Sequence, residues 1–244
     1  MSGLEPISLP LGRRAPPMPG EIEVWVCHLA EFPLGPAIEA ESGKSYRQAI
    51  RFRQRFVLRL LLGSYLNCPG KSIRFELGPA GKPRLASPPA DEGRLEFNVS
   101  HSGDWMAVAV ACDLSVGIDI ETGRELKRAL ALAQRFFSAD EAQWILALPE
   151  ADRSSAFFQL WTRREALVKA VGGNLLTSLK QLELEPRSGR ALRLPESWPS
   201  VTTWYLEQLD LPKGLVAAVA APRQDVSVRS FCLDCSANGV RSDV

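Results

Sequence analysis

The alternation of β-branched residues with carboxylates in Gly117-Ile118-Asp119-Ile120-Glu121 constrains this chain more than any other feature. Val116, Ile118 and Ile120 read as one face of a strand. Strand side chains alternate with period two, so Asp119 and Glu121 project together from the opposite face. Further along, Trp161-Thr162-Arg163-Arg164-Glu165-Ala166-Leu167-Val168-Lys169 reads as helix, and Trp161, Glu165 and Lys169 recur every fourth residue along one side of it. Three carboxylates on two rigid elements, with a lysine one turn beyond the third, suit a hard divalent cation shared with a phosphate. Mg²⁺ takes a few carboxylate oxygens and completes its shell with waters and phosphate oxygens.

The remaining composition narrows the setting. A chain of 244 residues can form one sizeable domain or two small halves that share a core. The net charge of +1 argues against bulk binding to nucleic acid or a membrane surface. No apolar run approaches the roughly 20 residues that span a bilayer. The opening run is cut by Pro6 and Pro10, and Arg13-Arg14 leads into Pro16-Pro17, which is not the plan of a secretory signal. Five scattered cysteines make no disulfide framework. Cys232-Leu233-Asp234-Cys235 has metal-ligand spacing, but zinc needs about four ligands, there is no second Cys pair, and His28 and His101 are the only histidines. Reduced thiols in a cytoplasmic protein are the expectation.

Along the chain, residues 1–20 are rich in Pro and Gly and read as a loose arm. Glu21 to Leu29 alternates as a strand. Ser45 to Leu66 reads as a helix with Phe56, Val57, Leu60 and Leu61 as its apolar stripe and Arg47, Arg51, Arg55 and Arg59 on a neighbouring one. Gly78 to Pro89 reads as a loop, and strands follow near 95–99, 105–112 and 116–121. Ser138-Ala139-Asp140-Glu141 has the form of a capping box that starts a helix ending before Pro149. A long helix from about Asp152 to Val171 stops at Gly172-Gly173, as a glycine C-cap would make it. Further strands lie between about 181 and 232. The strand–helix–strands plan appears once before residue 114 and once after it. The fold expected is therefore α+β: two similar halves, 21–114 and 115–222, packed side by side with a ligand cleft between them, followed by a strand and tail over 223–244.

Each piece has an ordinary reading when taken singly. Asp119 and Glu121 could be solvated, Glu165 and Lys169 could be an i,i+4 ion pair, Trp161 could be core, and Gly81-Lys82-Pro83 could be a turn. Their order is more informative. Gly81-Lys82-Pro83 is followed by Phe97-Asn98-Val99-Ser100-His101-Ser102-Gly103-Asp104-Trp105, then by Gly117 to Glu121. Arg135-Phe136-Phe137-Ser138, with Glu141, and the Trp161–Lys169 segment come next. In that order and spacing the motifs, over about residues 45–185, resemble the 4′-phosphopantetheinyl transferases of the larger, surfactin-synthetase-activating (Sfp) type. Arg164 stands where that family commonly has Lys.

The resemblance implies two α+β halves related by a pseudo-twofold. It also implies transfer of 4′-phosphopantetheine from coenzyme A to a serine of apo acyl or peptidyl carrier proteins, with release of 3′,5′-ADP. On the matching positions, Asp119, Glu121 and Glu165 would hold Mg²⁺ against the pyrophosphate, and Lys169 would contact the phosphates. Arg59, Lys82, Pro83, Ser100 and His101 would bind the nucleotide end, with Lys44, Arg47 and Arg51 as further basic candidates. Glu165 is the candidate base, acting directly or through a metal-bound water. Its ligation to a cation would lower its pKa and weaken it in that role. Carrier proteins tend to be acidic, so a basic rim supplied in part by Arg163 and Arg164 is expected. The enzyme would be a monomer. A small trimeric holo-acyl-carrier-protein synthase has chains about half this length, and a non-catalytic coenzyme A module would have no need of all three carboxylates.

Overall fold

In a computed structural model, the structure describes residues 4–32, 46–78, 81–86, 93–173, 178–179, 181–198 and 203–234. The N-terminal part comprises β1 (Glu5–Ser8), β2 (Glu21–His28), α1 (Tyr46–Leu66), β3 (Phe75–Leu77), β4 (Pro83–Leu85), β5 (Leu95–Ser102) and β6 (Trp105–Cys112). Strand β7 (Gly117–Thr122) leads into helices α2 (Ala129–Phe136), α3 (Ala139–Ala147) and α4 (Glu150–Val171). After them come β8 (Glu183–Leu184), β9 (Ala191–Arg193), β10 (Tyr205–Gln208), β11 (Leu215–Ala221) and β12 (Ser227–Asp234). This is an α+β fold.

Two sheets carry the molecule: a five-stranded one ordered β1-β12-β2-β6-β5 and a three-stranded one ordered β10-β11-β7. The period of two decides which residues meet where. From β2, Ile22, Val24 and Val26 point into the layer between the sheets, where they join Ala107, Ala109, Ala111, Ile118, Ile120, Ala217 and Val219. The intervening Trp25 and Cys27 point the other way, with Met106, Val108 and Val110, to receive Ile50, Val57, Leu61 and Leu62 of α1. On the far side of the small sheet, Ala218 and Ala220 pack with Leu160, Ala166, Leu167 and Ala170 of α4. The order of layers is therefore helix, sheet, sheet, helix. The alanines of β11 keep the spacing on both its faces short.

Four expectations are corrected here. The arm is not loose over its described residues: β1 pairs in parallel with β12. Arg14 sends Nη2 to both carboxylate oxygens of buried Glu23 at 3.3 Å, and its guanidinium lies 4.6 Å from the Trp25 ring. Cation–π contact and an ion pair together anchor the arm. Residues 83–85 form a strand paired with β3 inside the span read as loop. The buried stripe of α1 is Ile50, Val57, Leu61 and Leu62, while Phe56 is exposed. Finally, β12 leaves the second half of the chain to insert between β1 and β2, a long-range pairing with no local signal.

Candidate active site

Strand β7 has two unlike edges. Along one it pairs with β11 in a regular antiparallel ladder, Asp119 opposite Ala218 and Glu121 opposite Val216. Along the other it meets β5 through side chains. Asn98, Ser100 and Ser102 alternate onto one face of β5, each buried. Asn98 Oδ1 accepts the Ile118 N–H at 2.9 Å, Ser100 Oγ donates to Asp119 Oδ1 at 2.7 Å, and Ser102 Oγ donates to Glu121 Oε2 at 2.6 Å. Ser102 Oγ also accepts the Thr122 N–H at 3.2 Å. The alternation that aims Asp119 and Glu121 away from the apolar layer thus aims them at the hydroxyls of the neighbouring strand.

Helix α4 supplies the other side. Lys169 Nζ donates to Asp119 Oδ1 at 2.6 Å and to Ser100 Oγ at 3.0 Å. Asp119 is 4 % exposed, and its Oδ2 is buried without a hydrogen-bond partner. Burial pushes the Asp119 carboxyl up, and this outweighs the lowering by Lys169 and Ser100. Burial also raises Glu121 against the Ser102 hydrogen bond, with the Asp119 charge adding to the rise. Glu165 is pushed up to about 7, chiefly by burial and then by the Asp119 charge, with Lys169 opposing. The Asp119 charge raises both Glu121 and Glu165, Lys169 lowers all three carboxylates, and Arg124 acts on Glu121, so three acids share two cations.

That excess of acid tests whether a divalent cation fits. The donor set is all carboxylate oxygen, as Mg²⁺ requires, and one buried oxygen is unsatisfied. As they stand, however, no three His, Cys, Asp or Glu side chains among the described residues are gathered closely enough to hold a metal ion. Lys169 holds Asp119 Oδ1 in their place. The donors fit the ion without being a finished cage.

The residues expected at the nucleotide end divide. His101 is exposed beside Lys169, Asp119 and Arg51. Burial lowers its pKa most, and the nearby Lys169 and Arg51 charges lower it further. Lys82 donates to Val116 O at 2.9 Å, just before β7, and burial lowers its pKa to about 8. With Pro83, Ser115 and Gly172 it lines a cavity of about 180 Å³. Arg59 is elsewhere engaged. Its Nη1 donates to Gly70 O at 2.6 Å and Ile73 O at 2.8 Å, and its guanidinium lies 5.0 Å from the Phe75 ring. Arg51, two turns earlier and exposed, is the arginine that acts on His101. Eight residues of helix displace a side chain by about 12 Å, and a four-residue repeat does not say which turn is level with the site. Arg47 is exposed, and Lys44 and Cys235 lie outside the described residues.

The basic rim expected from Arg163 and Arg164 is not there. Arg163 is buried, and Arg164 is wholly buried in an ion pair with Glu141. Arg164 also donates to Leu182 O at 3.1 Å and lies over the Phe137 ring, 4.6 Å from its centroid. Glu141 in turn closes the capping box with Ser138 and accepts the Leu184 N–H at 3.1 Å. Asn98 and Ser102 also belong to the site, and the alternation within Asn98-Val99-Ser100-His101-Ser102 is the signal in the sequence that points to both.

With this geometry in view, comparison with known proteins is decisive. Residues 115–220 match the 4′-phosphopantetheinyl transferase superfamily, and residues 47–113 match the N-terminal part of a 4′-phosphopantetheinyl transferase. A putative 4′-phosphopantetheinyl transferase of Synechocystis sp. is 31 % identical over 189 residues, covering 72 % of this chain and 74 % of its own. The 4′-phosphopantetheinyl transferase HetI of Nostoc sp. is 33 % identical over 166 residues, 68 % of each chain. The 4′-phosphopantetheinyl transferase psf-1 of Bacillus pumilus is 37 % identical over 164 residues, 62 % of this chain and 67 % of its own. The chain belongs to the 4′-phosphopantetheinyl transferases, enzymes that move phosphopantetheine from coenzyme A to carrier proteins.

Proposed function

We propose that the chain is an Sfp-type member that transfers the 4′-phosphopantetheine of coenzyme A to a serine hydroxyl of apo acyl or peptidyl carrier proteins. The cleft used would be the seam between residues 21–114 and 115–222, where β5 meets β7. The observation that carries this reading is the bond of Lys169 to Asp119, whose Oδ2 is buried and unpartnered, with Glu165 near enough to feel the charges of Asp119, Glu121 and Lys169.

Asp119, Glu121 and Glu165 would hold Mg²⁺, which when bound supplies charge neutralisation on the pyrophosphate. Lys169 neutralises phosphate oxygens from the helix side, and His101, Lys82, Pro83, Ser100 and Arg51 receive the nucleotide end. Phosphoryl-type transfer asks a protein mainly for this positioning and neutralisation. Glu165 is the side chain placed to accept the serine proton, a role that holding Mg²⁺ would weaken by lowering its pKa. The serine oxygen bonds to the phosphorus that bears pantetheine. The bond from that phosphorus to the bridging oxygen breaks, and 3′,5′-ADP leaves with the electron pair. One chain supplies every residue named, which supports action as a monomer, and no helix among the described residues is long and apolar enough to cross a membrane. The net charge of +1 and the dispersed cysteines favour cytoplasmic action on proteins over nucleic acid or membrane surfaces.

The test is mass spectrometry of apo carrier proteins incubated with the enzyme, coenzyme A and Mg²⁺. The carrier gains one phosphopantetheine, and omission of Mg²⁺, Asp119→Asn or Glu165→Gln each abolishes the gain. An unchanged mass across acyl and peptidyl carriers, with wild-type protein, would overturn the reading.

A further inference from the structure

Gly117 opens strand β7 without a side chain, and its surroundings show why. A Cβ built there would lie 2.0 Å from Ala166 O, 2.4 Å from Ala170 N and 3.0 Å from Ala166 C. All three are backbone atoms of α4, so no rotamer change relieves the contact; either the helix or the strand must move. The requirement is for space, since Gly117 is not among the positive-φ residues.

The helix backbone is pressed onto the strand at Gly117. Ala166 and Ala170 are buried there, and Ser115 Oγ donates to Ala170 O at 2.5 Å, tying the same turn of helix to the residues before β7. The chemistry hangs on the neighbours of these contacts. Glu165 directly precedes Ala166 and Lys169 directly precedes Ala170, while Asp119 lies two residues beyond Gly117 on the same face of the strand. The 2.6 Å contact of Lys169 with Asp119 and the 3.0 Å contact with Ser100 span this close approach of helix and strand.

We propose that Gly117 is a positioning residue for phosphopantetheine transfer: by carrying no side chain it lets the α4 backbone rest on β7, and so sets the separation of Glu165 and Lys169 from Asp119. The inference rests on the roles given to those three residues above. A misplacement of about 1 Å in a catalytic constellation costs on the order of 10²-fold in rate.

Gly63 supplies a control. A Cβ there would lie 2.8 Å from Cys68 O, another backbone atom, but the contact joins α1 to its own following loop. Gly63→Ala therefore overpacks the fold without touching the seam between β7 and α4. The experiment compares wild type, Gly117→Ala, Gly63→Ala and Asp119→Asn by thermal unfolding and by kcat and KM for coenzyme A and an apo carrier. Both glycine variants are expected to melt lower. Gly117→Ala should lose about 100-fold in kcat with KM for the carrier near wild type, whereas Gly63→Ala should keep the wild-type kcat.

Should Gly117→Ala fail to fold, Ser115→Ala removes the hydroxyl tie to Ala170 without adding volume. A several-fold loss in kcat at constant carrier KM then supports the proposal, and an unchanged kcat overturns it. Gly117→Ala with wild-type kcat, or Gly63→Ala losing as much kcat as Gly117→Ala, also overturns it. If Asp119→Asn is inactive while Gly117→Ala is active, this inference alone falls. If Asp119→Asn is active, the reading of the carboxylates falls first.

Discussion

Two ion pairs depend on the same helix, and their residues stand five apart in sequence. Arg164 of α4 pairs with Glu141 where neither side chain has any exposure, whereas Lys169 pairs with Asp119 with 26 % of the lysine still open. The carboxylates differ more than the distances. Glu141 is fully used: Oε2 accepts from Arg164 and the Ser138 N–H, and Oε1 accepts the Leu184 N–H. Asp119 crowds Ser100 and Lys169 onto Oδ1 and leaves Oδ2 buried with nothing. A satisfied carboxylate in a sealed pair holds three elements together, α3, α4 and β8. An unsatisfied one faces the β5–β7 seam with one oxygen left over after Lys169 and Ser100 are served. The Trp161–Lys169 segment thus carries, on one helix, a sealed structural pair and the residues proposed for the chemistry.

The largest expected effect breaks the frame. Glu141→Ala leaves Arg164 as an uncompensated buried charge and removes both the capping box and the Leu184 acceptor. Loss of one partner of a buried pair costs about 3–5 kcal/mol, to be read as a lowered midpoint in urea unfolding. Asp119→Ala should instead keep its midpoint at neutral pH, because it removes a carboxylate that burial already disfavours in the charged form. Equal midpoints for Glu141→Ala and wild type would erase the contrast between the two pairs.

Next comes the pH dependence of the metal-free protein. Glu165 titrates at about 7 when folded, against 4.5 as its ordinary value. Between those values the folded state holds a proton that the unfolded state has released, so stability falls as pH rises through this window. Calorimetric melts in EDTA should show Tm declining from about pH 4.5 to about pH 7 on this account, with the slope reduced in Glu165→Gln. Mg²⁺ should raise Tm most at the upper end, where the carboxylates are free to bind it. A slope unchanged by Glu165→Gln would place the titration elsewhere.

The comparison also explains what could be read beforehand. Ile118 and Ile120 alternating with Asp119 and Glu121, and the four-residue step from Glu165 to Lys169, are periodic signals that fix which side chains share a face. The convergence of these residues could therefore be anticipated. Ser138 and Glu141 announced a helix start through local hydrogen bonding, which needs no tertiary context. Burial of Arg164 could not be read, because α4 is enclosed on several sides and carries no apolar stripe against which a buried charge would stand out. That Arg51, and not Arg59, acts on His101 depends on where α1 lies relative to it, a tertiary distance. Insertion of β12 beside β1 joins the two ends of the chain, and strand pairing at that separation leaves no pattern within either strand.

The smallest effect sharpens the contrast at its open side. Ser102 Oγ both donates to Glu121 and accepts the Thr122 N–H, so Ser102→Ala strips a carboxylate of its donor and a strand of one acceptor. A lost hydrogen bond of this kind costs about 1–2 kcal/mol, well below the loss in Glu141→Ala. The Ser102 hydrogen bond is what holds the Glu121 carboxyl down against burial, so the variant should ionise Glu121 less readily. More Mg²⁺ should then be needed for half-maximal transfer at neutral pH, with saturating turnover reduced only modestly, and Ser102→Thr should restore the wild-type requirement. The Glu141–Arg164 pair lies outside this network, so Glu141→Ala, assayed where it remains folded, should leave the Mg²⁺ requirement alone. A Ser102→Ala enzyme with the wild-type Mg²⁺ dependence would show that Glu121 is held by β7 alone, and that the polar edge between β5 and β7 does not tune the acids it touches.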